Sequence, residues 1–125
     1  MYANILYPDE QLADRKIAKI GAHINARHSL FDEHFSKNPI LPGAISLHFC
    51  VVAICRIISF SESGKFVFSE IEKVNFIQPI KPYSTINLEI LHTVKGQEYL
   101  RVLFELNNKN ADKFIKGYIK LERRL

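Results

Sequence analysis

Apolar residues along this chain fall into two regimes, a short-period alternation near both ends and one nearly continuous apolar run in the middle. Lys16 to Ala26 alternates loosely, with Ile17, Ile20, Ala22, Ile24 and Ala26 apolar, which predicts a strand. Arg27 to Gly43 is rich in turn formers, with Asp32, Ser36, Asn38, Pro39, Pro42 and Gly43. From Ala44 to Ser59 nearly every position is apolar, a length that favours a helix over a strand. Pro42-Gly43 directly before it suits a helix start, and Ser59 to Gly64 breaks the run.

The second half returns to strands. Lys65 to Phe76 carries Phe66, Phe68, Ile71, Val74 and Phe76, and Pro79-Ile-Lys-Pro82 interrupts it. Thr85 to Val94 alternates, with Ile86, Leu88, Ile90 and His92 expected on one face. Lys95-Gly96-Gln97 reads as a hairpin turn. Tyr99 to Leu106 alternates again, Asn107 to Asp112 is a polar turn, and Phe114 to Leu121 makes a last strand. The order is therefore strand, loop, one apolar helix, then three or four antiparallel strands. A helix apolar on all sides has to be enclosed. The expected class is α+β: an antiparallel sheet curled around a single central helix.

Composition bounds the function. At 125 residues the chain fits one domain spanning positions 1 to 125, and 47% hydrophobic with 24% charged residues is an ordinary globular balance. The net charge of +4 is spread along the chain, with no basic cluster longer than a pair such as Arg123-Arg124, so a nucleic-acid-binding arm is not expected. Attraction of an acidic partner stays open. Cys50 and Cys55 both sit in the apolar run, where reduced thiols and a cytoplasmic compartment are expected, not a disulfide. The first eight residues lack the basic and apolar regions of a signal peptide. The run from Ala44 to Phe60 carries His48 and Arg56 and falls short of the ~20 residues of a membrane span, so no membrane association is expected.

The chemistry concentrates in Phe31-Asp-Glu-His34-Phe35-Ser-Lys-Asn-Pro39-Ile-Leu-Pro42-Gly43-Ala-Ile-Ser-Leu-His48. This passage resembles the signature of the FabZ and FabA dehydratases, which is roughly G-H-F-P-x-x-P-x-x-P-G before a central helix. His34-Phe35, Pro39 and Pro42-Gly43 match in spacing, whereas Glu33 stands where that family has Gly and Ser36 where it has Pro. Ile71-Glu-Lys-Val74-Asn-Phe76-Ile-Gln-Pro79-Ile-Lys-Pro82 looks like the family's second motif, with Tyr83 in place of Gly. The resemblance implies a hotdog-fold dimer with its site at the subunit interface. The histidine comes from one subunit and a helix carboxylate, fourteen residues further on, from the other. In this chain that position is His48, and no Asp or Glu lies between Phe35 and Phe60. His48 in its Pro-Gly-x-x-x-Leu-His setting is similar to the ApeI-type dehydratases of aryl-polyene pigment pathways.

The implied reaction is dehydration of a 3-hydroxyacyl thioester, carried on acyl carrier protein, to the trans-2-enoyl thioester in fatty-acid or polyene-type lipid biosynthesis. It needs no cofactor and no metal. It needs a base for the C2 proton, a donor for the thioester oxygen and an acid for the departing hydroxyl. An imidazole such as His34 suits the base. The free N–H groups and positive dipole end of a helix starting near Gly43 suit the oxygen, and glycine allows close approach. His48 is placed to donate a proton or to hold water, and Phe35 and Pro42 to line the substrate. His23, His28 and His92 are expected to be structural or on the surface, and the five histidines show no H-E-x-x-H spacing. Ser46 and His48, two apart on a helix, do not face each other, which argues against a Ser-His nucleophile pair.

A homodimer or higher homo-oligomer is the implied assembly, with a heterodimer with another hotdog subunit as an alternative. Two other functions remain: a hotdog thioesterase, and a non-catalytic partner of a separate dehydratase. The missing helix acid speaks against the first and for the second.

Overall fold

A computed structural model describes residues 6–14, 19–25, 27, 41–81 and 85–124. Its elements are β1 (Leu6–Asp14), β2 (Lys19–Ile24), α1 (Gly43–Ser61), β3 (Lys65–Phe76), β4 (Thr85–Lys95), β5 (Tyr99–Asn107) and β6 (Lys113–Arg124). The six strands form one antiparallel sheet in the order β1-β2-β4-β5-β6-β3, and α1 packs on one face of it against β3 and β6. The expected class, α+β with one helix held by an antiparallel sheet, is what the chain adopts. β1 is an addition to the expected order. Its sequence, Leu-Tyr-Pro-Asp-Glu-Gln-Leu-Ala-Asp, carries a proline and no alternation, so it gives no period-2 signal.

The inward rows of β4, β5 and β6 make the core. Ile86, Leu88, Leu100, Val102, Phe104, Leu106, Ile115, Ile119 and Leu121 are all essentially inaccessible. Every second residue of a strand points to the same face, so the alternation seen in the sequence becomes this layer.

Bulges in β3 and β4 move residues between faces. In β3, Phe68 pairs with Leu121, Ile71 with Ile119, Val74 with Gly117 and Phe76 with Ile115, with irregularities between Phe68 and Glu70 and between Ile71 and Lys73. One extra residue at each place turns the three-residue spacing of Phe68, Ile71 and Val74 into a single row on the helix side. In β4 the effect is the reverse. Ile90 pairs with Phe104 but His92 with Leu103, so Leu91 is the extra residue and His92 lies on the face opposite Ile90. The expected row Ile86, Leu88, Ile90 and His92 therefore breaks before its last member, because a bulge shifts the parity of everything after it.

Helix α1 also departs from expectation. Ser46, Cys50, Ala53, Ile54 and Ile58 are buried against the sheet, whereas Ala44, His48, Val52 and Arg56 are exposed. A single chain thus covers one side of a helix whose composition calls for cover all round. With 19 residues α1 is long and apolar enough to cross a membrane by length and composition, which corrects the sequence-based view that the run is too short.

Candidate active site

The start of α1 is fixed by three local features. Leu41 donates its N–H to the Ile80 carbonyl at 2.7 Å, and both side chains are buried, so the chain entering the helix is pinned to the segment leaving β3. Pro42, half-buried, is the N-cap, and its carbonyl accepts from Ile45 N–H at 3.1 Å and Ser46 N–H at 3.2 Å. Ser46 Oγ donates to the same carbonyl at 3.0 Å. That leaves the Gly43 and Ala44 N–H groups without an acceptor among the described residues, and no side chain caps this end. The first turn carries no acidic residue, so the positive end of the helix dipole is uncompensated.

Gly43 lies against the Phe76 ring. A Cβ on Gly43 would fall 2.8 Å from Phe76 Cε1, and that ring is 57% exposed at the end of β3. These N–H groups therefore sit beside an exposed aromatic ring at the end of β3. The sequence leaves Phe76 open between a core residue and the lining of an acyl-chain tunnel, and what it does not show is the contact with Gly43.

His48 lies five residues into α1, roughly 7 Å further along the axis at 1.5 Å per residue. It is exposed, one turn above Ala44. Ser46 is wholly buried and engaged with the Pro42 carbonyl, so the two side chains stand apart, as their spacing predicts. His34, Phe35 and Pro39 lie outside the described residues, as do His28, Pro82 and Tyr83. Of the expected site residues, Pro42, Gly43 and His48 are described, the first two at the start of α1 and His48 five residues further along it.

Three acids, one at the C-cap of α1 and two on strands, are engaged elsewhere. Glu62 binds Lys95 at 2.8 Å, Glu72 binds Arg101 at 2.9 Å, and buried Glu105 accepts from Asn107 Nδ2 at 2.9 Å. Burial pushes the Cys50 thiol far above its ordinary range. Partial burial raises Cys55 as well, opposed by a hydrogen bond with the Phe68 backbone. Both are free thiols, and the raised direction of each disfavours the thiolate that a nucleophile needs. Among the described residues no three His, Cys, Asp or Glu side chains converge on a common point.

Residues 10–118 match the ApeI-like family, described as ApeI dehydratase. The chain belongs to the ApeI-like dehydratase family. Among solved structures, the dehydratase heterocomplex ApeI:P from Xenorhabdus doucetiae is 25% identical, with a TM-score of 0.59, covering 84% of this chain and 86% of that one. An uncharacterised protein from Erwinia carotovora subsp. atroseptica is 24% identical, with a TM-score of 0.58 over 84% of this chain and 82% of that one. The putative thioesterase yhdA from Lactococcus lactis is 13% identical, with a TM-score of 0.65 over 96% and 90% of the two chains, a likeness of fold alone. None of the curated proteins matches the chain. The chain has the hotdog fold, with α1 packed on one face of the antiparallel sheet.

Proposed function

We propose that this ApeI-like dehydratase removes water from 3-hydroxyacyl thioesters on acyl carrier protein, giving trans-2-enoyl thioesters, as a single hotdog domain paired with another hotdog subunit. The observation that carries the reading is the pair of unsatisfied N–H groups at Gly43 and Ala44, beside Phe76 and below His48. The thioester oxygen accepts from the Gly43 N–H, with Pro42 and Phe35 lining its approach. As the C2 proton passes to His34, negative charge builds on that oxygen. A fixed donor there is worth about 3 kcal/mol in comparable sites. The C3–O bond then breaks, and the leaving hydroxyl takes a proton from His48 or from a water that His48 holds. Water departs and both electron pairs are accounted for, so no cofactor is required. Two free cysteines, one buried and one part-buried, suit a cytoplasmic setting, and fatty-acid or polyene-type lipid synthesis would use the product.

A second reading has an observation of its own. The chain offers no helix acid, and the ApeI:P neighbour is a heterocomplex. This favours a subunit whose site is completed by a different hotdog chain. The thioesterase reading rests on fold likeness alone.

Dehydration of a short 3-hydroxyacyl-carrier-protein by the purified chain tests the proposal, beside His34→Ala and His48→Ala. Enoyl product from the parent and its loss in both variants supports the two-histidine mechanism. Loss only in His34→Ala leaves His48 structural. Free acid in place of enoyl product would indicate a thioesterase. No turnover at any chain length would indicate a partner subunit.

A further inference from the structure

The carbonyl of Pro42 and the N–H of Gly43 belong to one peptide unit. Resonance makes that unit planar, and electron density drawn to its oxygen leaves its nitrogen and hydrogen more positive. The Pro42 oxygen carries three donors. It accepts the Ile45 N–H at 3.1 Å, the Ser46 N–H at 3.2 Å and the Ser46 Oγ–H at 3.0 Å, whereas a carbonyl inside a helix accepts the one N–H four residues on. Hydrogen bonds in a chain strengthen one another by about 10–30% each. Donors crowded on the oxygen therefore sharpen the donor at the other end of the same unit. That donor is the Gly43 N–H, which has no acceptor among the described residues.

The hydroxyl is the member of the three that the helix does not require. Ser46 is wholly inaccessible and supplies the only hydroxyl among the buried residues of α1, the others being Cys50, Ala53, Ile54 and Ile58. Alanine has the higher helix propensity, and a serine bonded back to the carbonyl four residues before weakens a helix slightly. The Pro42 carbonyl would keep two N–H partners without it. What the hydroxyl adds is withdrawal of charge from the Pro42–Gly43 peptide.

We propose that Ser46 is a positioning residue for the reaction: its Oγ–H polarises the Pro42–Gly43 peptide and so strengthens the Gly43 N–H as donor to the thioester oxygen. It touches no substrate. The proposal rests on the dehydration proposed above, in which that oxygen gains negative charge as the C2 proton leaves. The effect therefore falls on the transition state more than on bound substrate.

Ser46→Ala in the full chain tests it. Removing the hydroxyl leaves no buried group unpaired, so the melting temperature should stay level or rise slightly. With a 3-hydroxyacyl-carrier-protein as substrate, kcat should fall about two- to fivefold while KM moves less, which is the share of one oxygen donor that such polarisation supplies. Ser46→Cys, a weaker donor of similar shape, should fall between the two.

A second readout needs no substrate. An N–H without an acceptor exchanges with water according to its own acidity, so exchange of the Gly43 amide, read by NMR, should slow in Ser46→Ala. The Ala44 amide, on the next peptide unit, should keep its rate. A serine that only braces the helix end predicts the opposite, because a looser end would speed both. Gly43 exchange that is unchanged or faster, or a kcat that holds level, would overturn the proposal. If the parent chain does not dehydrate the substrate, the proposed reaction falls, and the exchange rates alone decide whether Ser46 polarises the peptide.

Discussion

The Phe76 ring lies across Gly43, with Cε1 and Cδ1 at 2.8 and 2.9 Å from where a Cβ would be. Gly43→Ala therefore forces the ring aside. Phe76 is 57% exposed and ends its strand, so it can swing away at small cost. The melting temperature should change by only a few degrees, about 1 kcal/mol or less. The added methyl and displaced ring narrow the approach to the free N–H groups, so kcat/KM for dehydration should fall at least about tenfold. Adding Phe76→Ala to that variant should restore part of the loss if the obstruction is steric. Melting curves and steady-state kinetics on the three variants check it, and unchanged kinetics in Gly43→Ala would remove Gly43 from the site.

How far the sequence spoke for the structure depends on the kind of signal. The boundaries of β3 and β5 follow from alternation and turn residues to within a residue, and α1 from an apolar run too long for a strand. The bulges were illegible because an inserted residue leaves no mark on a one-dimensional pattern until the partner strand is known. This is why His92 was expected on the wrong face. The helix end at Pro42-Gly43 was legible through its punctuation. The contact with Phe76, 33 positions away, was not, since only the Leu41–Ile80 bridge and the β3–β6 register bring the two together. The half-covered state of α1 was illegible for a different reason: its composition shows that cover is needed, not which chain provides it.

Gly117 tests the bulged pairing of β6 with β3. A Cβ there would lie 2.5 Å from the Lys73 carbonyl oxygen and 3.3 Å from Phe104 Cε1. Backbone cannot yield as a side-chain tip can, so Gly117→Ala should cost about 2–4 kcal/mol. Gly64→Ala is the control, because its nearest neighbour is the mobile Arg123 Nη1 at 3.1 Å. Urea midpoints should fall clearly for the first and stay within error for the second. Equal effects would mean that the register at Val74–Gly117 is wrong.

Ser59 ties the end of the helix to the strand that follows. Its Oγ accepts the Phe66 N–H at 2.9 Å, and its carbonyl accepts the Gly64 N–H at 3.2 Å. Ser59→Ala keeps the second bond and removes the first, leaving a part-buried N–H unpaired at a cost of about 1–2 kcal/mol. The Phe66 amide should then exchange with deuterium faster than in the parent, while amides in the middle of β5 keep their relative protection. An unchanged Phe66 amide would show that the bond does not hold in solution.

Cys50 should make the fold sensitive to alkali. Burial holds its thiol protonated far above the ordinary cysteine value, and Cys55 is raised in the same direction. In the unfolded chain both thiols ionise near pH 8.5. The folded state then binds more protons than the unfolded state above that pH. Stability is therefore fully present below about pH 8.5 and declines as pH rises, by up to about 1.4 kcal/mol per pH unit for each thiol that stays protonated. The window from about pH 8.5 to 9.5 isolates the effect, because lysine and tyrosine titrate higher. Urea midpoints of the parent should drop across it. Cys50→Ala should flatten most of that slope, and Cys55→Ala less, because Cys55 is only part-buried. A slope that survives in Cys50→Ala would mean that the residue is not sealed from solvent, and with it the packing of α1 on the sheet would need revision.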